Sequence, residues 1–153
     1  MKRREARQQA FILLFEQSFS RDTMEQIIDV AEAVTEKPLD EFAVRLAIGA
    51  EAHLPELDER ISKNSRGWKL HRLSKVSLAV LRLAIYELLF EKDIPVSVSI
   101  NEAVELAKKY GGEEDAPFVN GVLGSVAREC ADKPKTDAAD AADAAPEDGT
   151  ADA

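Results

Sequence analysis

Residues 76–90 of the chain have the sequence VSLAVLRLAIYELLF. Hydrophobic residues lie on nearly every side of a helix drawn through this stretch, and Arg82 and Glu87 are its two charged residues. This pattern is typical of a helix at the centre of a bundle, where each side meets another helix. The stretch is too short and too charged to cross a bilayer, which takes about 20 apolar residues. We therefore predict a buried central helix and no contact with a membrane.

The apolar spacing on both sides of this stretch is also helical, and no run alternates with the period of two that a half-buried strand requires. We predict an all-α fold of seven helices, at residues 3–19, 23–36, 39–53, 55–63, 73–92, after 95 up to 110, and 117–130. A break with the sequence NSRG at residues 64–67 falls at the midpoint. Two small helical subdomains that share the central helix would fit this arrangement.

The whole chain is acidic. Its 153 residues contain 20 Lys and Arg against 29 Asp and Glu, a formal net charge of −9. Because nucleic-acid binding depends on basic side chains that release counterions from phosphates, this balance argues against strong non-specific binding of nucleic acid. One cysteine cannot form an internal disulfide, and the N-terminus does not resemble a secretory signal, so we expect a cytoplasmic protein.

The charge is unevenly distributed. Residues 132–153 hold seven acids against two lysines, with eight alanines, two prolines and no large apolar residue. Ordering such a segment buries almost no apolar surface to offset the entropy cost, so we predict one domain over residues 1–131 and a disordered acidic tail over residues 132–153. At the other end, residues 1–8 hold four basic residues against one acid.

No catalytic or metal-binding pattern stands out. His53 and His71 have no partner at the spacing of zinc ligands, and Cys130 has no neighbouring His or Lys in the sequence to activate its thiol. The glycine pair at residues 111 and 112 lacks the frame of a phosphate-binding loop. We therefore predict that the protein is not an enzyme and uses no metal, cofactor or small-molecule substrate.

A first candidate binding feature lies at the N-terminus. Arg3, Arg4 and Arg7 fall on one face of the first predicted helix, and Phe11 and Phe15 continue that face in steps of four. Arginines at one end and aromatic rings at the other suit phosphate contact and apolar packing. The alternative is that the arginines are simply solvated and the rings belong to the core.

A second candidate feature is APFVNGVLGSV at residues 116–126. Phe118 and Asn120 lie at the start of the last predicted helix, and an aromatic ring with an amide can stack on and hydrogen-bond an unstacked base. In the alternative interpretation, Phe118 fills the core and Asn120 caps nearby backbone. The same ambiguity applies to Asn101 and Glu102 in INEAVELAKKYG.

Taken together, several segments resemble the NusB family of bacterial transcription antitermination factors. They are RREARQQAFILLFE at the N-terminus, WKLHRL at 68–73, VLRLAIYELL at 80–89, and IPVSVSINEAVELAKKYGGEEDAPFVNGVLGSVA at 94–127. The match covers about residues 3–128 in the same order. The resemblance implies an all-helical NusB fold of two three-helix bundles that share a long helix.

The resemblance also implies a function. Members of the family bind the single-stranded boxA element of nascent RNA, chiefly in ribosomal RNA leaders, together with NusE, a small-subunit ribosomal protein, and help RNA polymerase pass terminators. The family's RNA-contacting positions correspond to Arg3, Arg4, Arg7, Phe118 and Asn120. Its NusE-contacting positions correspond to Phe15, with Phe19 one turn further, and to Ser77.

Two departures from the family pattern leave other functions open. Ser77 stands where some members have an acid, and Pro117 stands where relatives have a basic residue. A helical adaptor that binds protein and little RNA is therefore one alternative. The other is a stand-alone relative of the RNA-binding domain of ribosomal RNA cytosine methyltransferases, although the Gly-rich loop of their Rossmann-like catalytic half does not occur in this sequence.

Overall fold

A computed structural model describes residues 2–131. It contains seven α-helices: α1 (Arg3–Gln17), α2 (Met24–Thr35), α3 (Glu41–Ala52), α4 (Leu54–Asn64), α5 (Lys75–Phe90), α6 (Val96–Tyr110) and α7 (Asp115–Glu129). A short 3-10 helix, Leu70–Arg72, precedes α5, and residues 2–131 contain no strand. The all-α prediction is confirmed. The predicted tail, residues 132–153, lies outside the described residues.

The central helix organises the fold. α1, α2 and α3 pack on one another, α7 packs on α4 and α6, and α5 contacts five helices: α1, α3, α4, α6 and α7. Twelve of the 16 residues of α5 are buried. The helices therefore form two groups that share α5, as the apolar sequence at residues 76–90 predicts.

Local hydrogen bonds set the helix ends. At the start of α2, the Thr23 hydroxyl accepts from the Gln26 amide at 3.2 Å, and the Gln26 side chain accepts from the Thr23 amide at 2.9 Å. Asp40 caps α3 by accepting from the Phe42 amide at 2.8 Å. Each such cap contributes about 1 kcal/mol of stability. Most predicted helices are too long by one or two residues at an end, because apolar spacing continues past the caps.

The last helix begins earlier than predicted. α7 starts at Asp115, two residues before Pro117. Proline is tolerated there because the first-turn amides of a helix have no partner within the helix.

The α4–α5 connection forms a fixed turn. Arg66 and Gly67 have φ angles of 54° and 89°, in the left-handed region where glycine carries no steric cost. The Ser65 hydroxyl donates to the Trp68 carbonyl at 2.8 Å, and the Trp68 amide donates to the Ser65 carbonyl at 3.2 Å. These bonds hold the indole of Trp68 on the surface, where the residue is 56% exposed.

A glycine permits the close approach of α3 and α5. A Cβ atom on Gly49 would overlap the phenol ring of Tyr86. Tyr86 is buried, and its ring lies 5.2 Å from that of Phe90 and 6.2 Å from that of His53, centre to centre. Because these neighbours leave the ring little room to move, the two helices need glycine at position 49.

We therefore expect Gly49→Ala to lower the free energy of unfolding by about 1–3 kcal/mol, the usual cost of overpacking a core. Gly121→Ala is the matched control, since Gly121 is also helical and a Cβ there meets nothing within 4 Å. That control should be neutral or stabilising by up to about 1 kcal/mol. Urea unfolding followed by circular dichroism measures both, and equal stabilities of the two variants would contradict this packing.

Candidate nucleic-acid interface

Arg3 and Arg4, in the first turn of α1, are both exposed. Arg4 donates two hydrogen bonds to the carboxylate of Glu102 on α6, at 2.8 and 3.0 Å. These bonds and the charge of Glu102 raise the pKa of Arg4. The guanidinium of Arg3 lies 3.8 Å above the centre of the Phe42 ring. A guanidinium has five N–H donors, so both arginines keep donors that can reach a phosphate.

Arg7 is placed differently from these two arginines. Its side chain is 6% exposed and donates to both carboxylate oxygens of Glu87 on α5, at 2.9 and 3.0 Å. The Ser99 hydroxyl on α6 donates to the same carboxylate at 2.8 Å. The phosphate contact predicted for Arg7 therefore needs correction, because its guanidinium neutralises a buried acid inside the protein.

The predicted aromatic continuation of this face is also wrong in part. Phe11 is buried and its ring packs 4.8 Å from that of Tyr110, centre to centre. Both Arg7 and Phe11 point inward because α1 lies across α5 and turns one side of its N-terminal half into the core. On α1, the open part of the predicted RNA face thus consists of Arg3 and Arg4.

At the start of α7, Asp115 ties three parts of the chain together. Its Oδ1 accepts from the hydroxyls of Ser74 and Ser77, at 2.7 and 2.6 Å, and its Oδ2 accepts from the Gly112 amide at 2.7 Å. A Cβ on Gly111 would lie 2.5 Å from Oδ2 and 2.8 Å from the Ala107 carbonyl oxygen. The α6–α7 loop therefore needs glycine here, and it is held firmly against α5.

These bonds change the acidity of Asp115. Burial raises the pKa of its carboxyl, but the hydrogen bonds from Ser77, Ser74 and Gly112 lower it more, so the pKa lies below the ordinary value of 3.8. The carboxylate is thus charged at neutral pH, as its three donors require.

The partner contact predicted at Ser77 has to be corrected. Ser77 is 2% exposed, and its hydroxyl is bonded to Asp115. An acid at this position would place a second carboxylate beside that of Asp115, where like charges repel. In this chain, Ser77 positions α7 from the interior and does not lie on a docking surface.

A groove of about 710 Å³ runs between α6 and the start of α7. Its lining residues come from both helices and their loop: Asn101, Val104, Glu105, Lys108, Gly111, Gly112, Glu113, Ala116, Pro117 and Asn120. Asn120 is exposed and faces this groove. Phe118 is half-buried and packs against the core, outside the groove lining.

α6 connects the groove to the first helix. Asn101 lines the groove, and the next residue, Glu102, holds Arg4. Glu105 also lines the groove and contributes to the raised pKa of Arg4. Arg4 and Asn120 therefore lie on either side of one helix.

A second surface lies at the opposite end of α1. Phe19 is 63% exposed, and its ring meets the half-buried ring of Phe15 edge to face, 5.0 Å between centres. The Lys75 ammonium lies 5.5 Å from the centre of the Phe19 ring and donates to the Ser18 carbonyl at 3.1 Å. An apolar surface with one cation at its edge is typical of a protein-binding site.

Other site types have little support in residues 2–131. This part of the chain has no group of three or more His, Cys, Asp or Glu arranged to hold a metal ion. None of its helices is both long and apolar enough to span a membrane. His53 stacks on Phe90 at 4.3 Å between ring centres, and burial lowers its pKa. The sulfur of Cys130 accepts from the Arg60 guanidinium at 3.4 Å.

Comparison with known proteins shows the family and the fold of the chain. The NusB family model matches residues 4–128. The chain belongs to the NusB family. It is 43% identical over 142 residues to the transcription antitermination protein NusB of Clostridium botulinum (strain Kyoto / Type A2), a match that covers 82% of this chain and 99% of that protein.

Solved NusB structures share the fold. NusB of T. maritima superposes with a TM-score of 0.76 at 43% identity, covering 84% of this chain and 92% of that chain. A NusB chain from a complex of the antitermination factors NusB and NusE with dsRNA superposes with a TM-score of 0.74 at 28% identity, covering 83% and 96%. The predicted NusB fold is confirmed.

Sequence reasoning missed the positioning role of three carboxylates: Glu87, Glu102 and Asp115. One signal was present for the first of them. Glu87 is the only acid in the apolar run at residues 76–90, and a charge in a buried helix requires a partner. The identity of that partner, 80 residues away, depends on tertiary packing.

We expect Arg7→Met to lower the free energy of unfolding by about 3–5 kcal/mol, because it leaves the Glu87 charge buried without its partner. The double variant Arg7→Met with Glu87→Met removes both charges and should recover most of that loss. Urea unfolding of both single variants and the double variant measures the coupling. If the stability losses of Arg7→Met and Glu87→Met simply add up in the double variant, the two charges do not stabilise each other.

Asp115→Asn should cost about 1–3 kcal/mol at neutral pH by weakening three hydrogen bonds to a carboxylate. The folded pKa is the lower one, so the unfolded chain binds the proton first as the pH falls. The advantage of wild type over this variant is therefore full above the ordinary pKa of 3.8 and is lost as the pH falls through the folded pKa.

Unfolding free energies measured from neutral pH down to about pH 2 trace this loss. Glu113→Gln removes an exposed acid of the same loop and is the control, with no comparable pH-dependent difference expected. A constant gap between wild type and Asp115→Asn across the acid range would contradict the assignment.

Proposed function

We propose that this protein is an RNA-binding transcription antitermination factor that binds the boxA element of nascent ribosomal RNA together with NusE, in the bacterial cytoplasm. The observation that carries the proposal is family membership over residues 4–128, with relatives named transcription antitermination protein NusB. A solved complex of NusB and NusE with dsRNA supports the choice of partners. RNA polymerase with its antitermination factors is the proposed larger assembly.

The RNA face in this proposal extends from α1 across α6 to α7. Arg3 and Arg4 contact phosphates, since both are exposed and keep donors that are not engaged within the protein. Asn120 hydrogen-bonds a base from its exposed position on the groove, and Phe118 contributes the accessible part of its ring.

Arg7 and Ser77 have a different role in the proposal. Arg7 holds α1 on Glu87, and Ser77 holds the start of α7 through Asp115. Both residues thereby keep the RNA-contacting side chains in place without touching RNA. Substituting them would weaken RNA binding only through the fold.

NusE binds at the other end of α1, on Phe15 and Phe19 with Lys75 at the edge. The exposure of the Phe19 ring supports this assignment, because large apolar side chains on a monomer surface mark interaction sites when they lie together. The two surfaces lie at opposite ends of a 15-residue helix, which is about 22 Å long. RNA and NusE can therefore bind at the same time.

Charge explains why a partner is needed. The RNA groove carries Glu105 and Glu113 against Lys108, and the chain has a net charge of −9. Bulk attraction to phosphates is therefore weak, so affinity depends on a few specific contacts and on NusE.

The test is a titration of labelled boxA RNA and a scrambled strand, each with and without NusE and at several salt concentrations. We expect a preference for boxA that grows with NusE. Loss of one phosphate contact in Arg3→Gln or Arg4→Gln should reduce the salt slope by about 0.7. Asn120→Ala should weaken boxA binding and leave the scrambled strand unaffected.

Arg21→Gln is the charge control, because Arg21 is exposed beyond the C-terminal end of α1, away from Arg3 and Arg4. Phe19→Ser should abolish the effect of NusE while leaving binding by the protein alone unchanged. Equal weak binding of both RNAs, with and without NusE, would overturn the proposal. NusE binding without any preference for boxA would identify the protein as a helical adaptor.

A further inference from the structure

A second basic surface lies outside the RNA face. Residues 63–75, KNSRGWKLHRLSK, contain five Lys and Arg and no acid, in a chain that is acidic overall. We refer to these residues as the basic segment. All five cations are exposed: Lys63, Arg66, Lys69, Arg72 and Lys75.

The basic segment has a defined shape. The mutual hydrogen bonds of Ser65 and Trp68 close its first turn, and the Arg72 amide donates to the Lys69 carbonyl at 2.9 Å to form the 3-10 helix. Trp68, the only tryptophan of the chain, lies exposed among these cations. The surface is thus pre-organised, which lowers the entropy cost of binding.

Three of these cations have no counter-charge among residues 2–131. Arg66, Lys69 and Arg72 form no ion pair with any residue in the described range 2–131. The other two are partly engaged, since Lys75 bonds the Ser18 carbonyl and Lys63 lies 4.0 Å from Glu129. The middle of the basic segment therefore presents free positive charge beside an aromatic ring.

The described chain ends next to this surface. Glu129, the last residue of α7, accepts from the Asn64 side chain at 3.3 Å and from Arg60 at 3.2 Å. Asn64 belongs to the basic segment and directly precedes its turn. The described part of the chain therefore ends beside the start of the basic segment, and residues 132–153 follow it in the sequence.

The composition of these last residues complements the surface. They carry seven acids and two lysines, and their other residues are mostly alanine. For 22 residues, the general relation between chain length and end-to-end distance gives a root-mean-square value of about 25 Å. Tethering at this length keeps the acids near the basic segment at an effective concentration of about 1 mM or more.

We propose that residues 132–153 dock on the basic segment of the same molecule. Arg66, Lys69 and Arg72 supply the cations for these acids, and Trp68 lies exposed among them. The tethered acids are present at every RNA concentration and compete with non-specific RNA for the basic segment. Arg3 and Arg4 lie outside the basic segment and remain open. The proposed docking uses a surface other than the proposed boxA site, so it does not depend on boxA binding.

The test uses Trp68 as a unique fluorescence donor in the full-length chain. Cys130→Ser removes the native thiol, and Ala144→Cys carries a dye that accepts tryptophan emission. We expect energy transfer in dilute buffer to fall about twofold or more in 1 M NaCl, where the screening length is about 3 Å. Lys69→Gln with Arg72→Gln should produce a comparable fall without added salt.

Arg21→Gln with Lys37→Gln removes two exposed cations from the α1–α2–α3 side of the molecule and should leave the transfer unchanged. Circular dichroism checks that each variant is folded. The proposal would be overturned if the efficiency of energy transfer changed neither with salt nor with the Lys69 and Arg72 substitutions. A second measurement follows the quenching of Trp68 fluorescence by a single-stranded oligonucleotide in wild type and in the triple variant Asp137→Asn, Asp140→Asn, Asp143→Asn. Equal quenching in the two proteins would also overturn the proposal, because the basic segment would then be an open RNA surface.

Discussion

The buried ion pair of Arg7 and Glu87 is the interaction on which the arrangement of the binding surfaces depends. Glu87 lies in the central helix, where water cannot solvate its charge, so the protein must supply the counter-charge and hydrogen bonds itself. Arg7 from α1 and Ser99 from α6 do so. The one carboxylate therefore fixes how α1 and α6 lie against α5, and those two helices carry Arg4 and one side of the groove.

Asp115 has the equivalent role at the start of α7. Its carboxylate accepts from α5 and from the α6–α7 loop, and the neighbouring Gly111 leaves it room. The candidate surfaces thus consist of a few exposed side chains held by buried polar contacts. This division suits a chain of net negative charge, because specific contacts on a rigid frame can bind RNA where bulk attraction does not.

Much of the architecture follows from local patterns. Apolar spacing predicts seven helices in the observed order. The segments INEAVELAKKYG and FVNGVL carry the resemblance to the family whose model matches residues 4–128. The predicted helix ends are shifted because caps override apolar spacing. Arg7 and Ser77 are buried although arginine and serine are usually exposed, and local sequence patterns do not show this burial.

The sequence by itself determined the helices, because these depend on periodicity of short range. Its resemblance to the NusB family predicted the NusB fold and the candidate RNA and partner residues. Only the tertiary structure decided which charges are open to a ligand. Arg3, Arg4 and Arg7 look alike in the sequence, yet Arg7 meets a carboxylate 80 residues away and leaves the surface. Burial and pairing depend on how helices pack, and packing brings together residues that no local pattern connects.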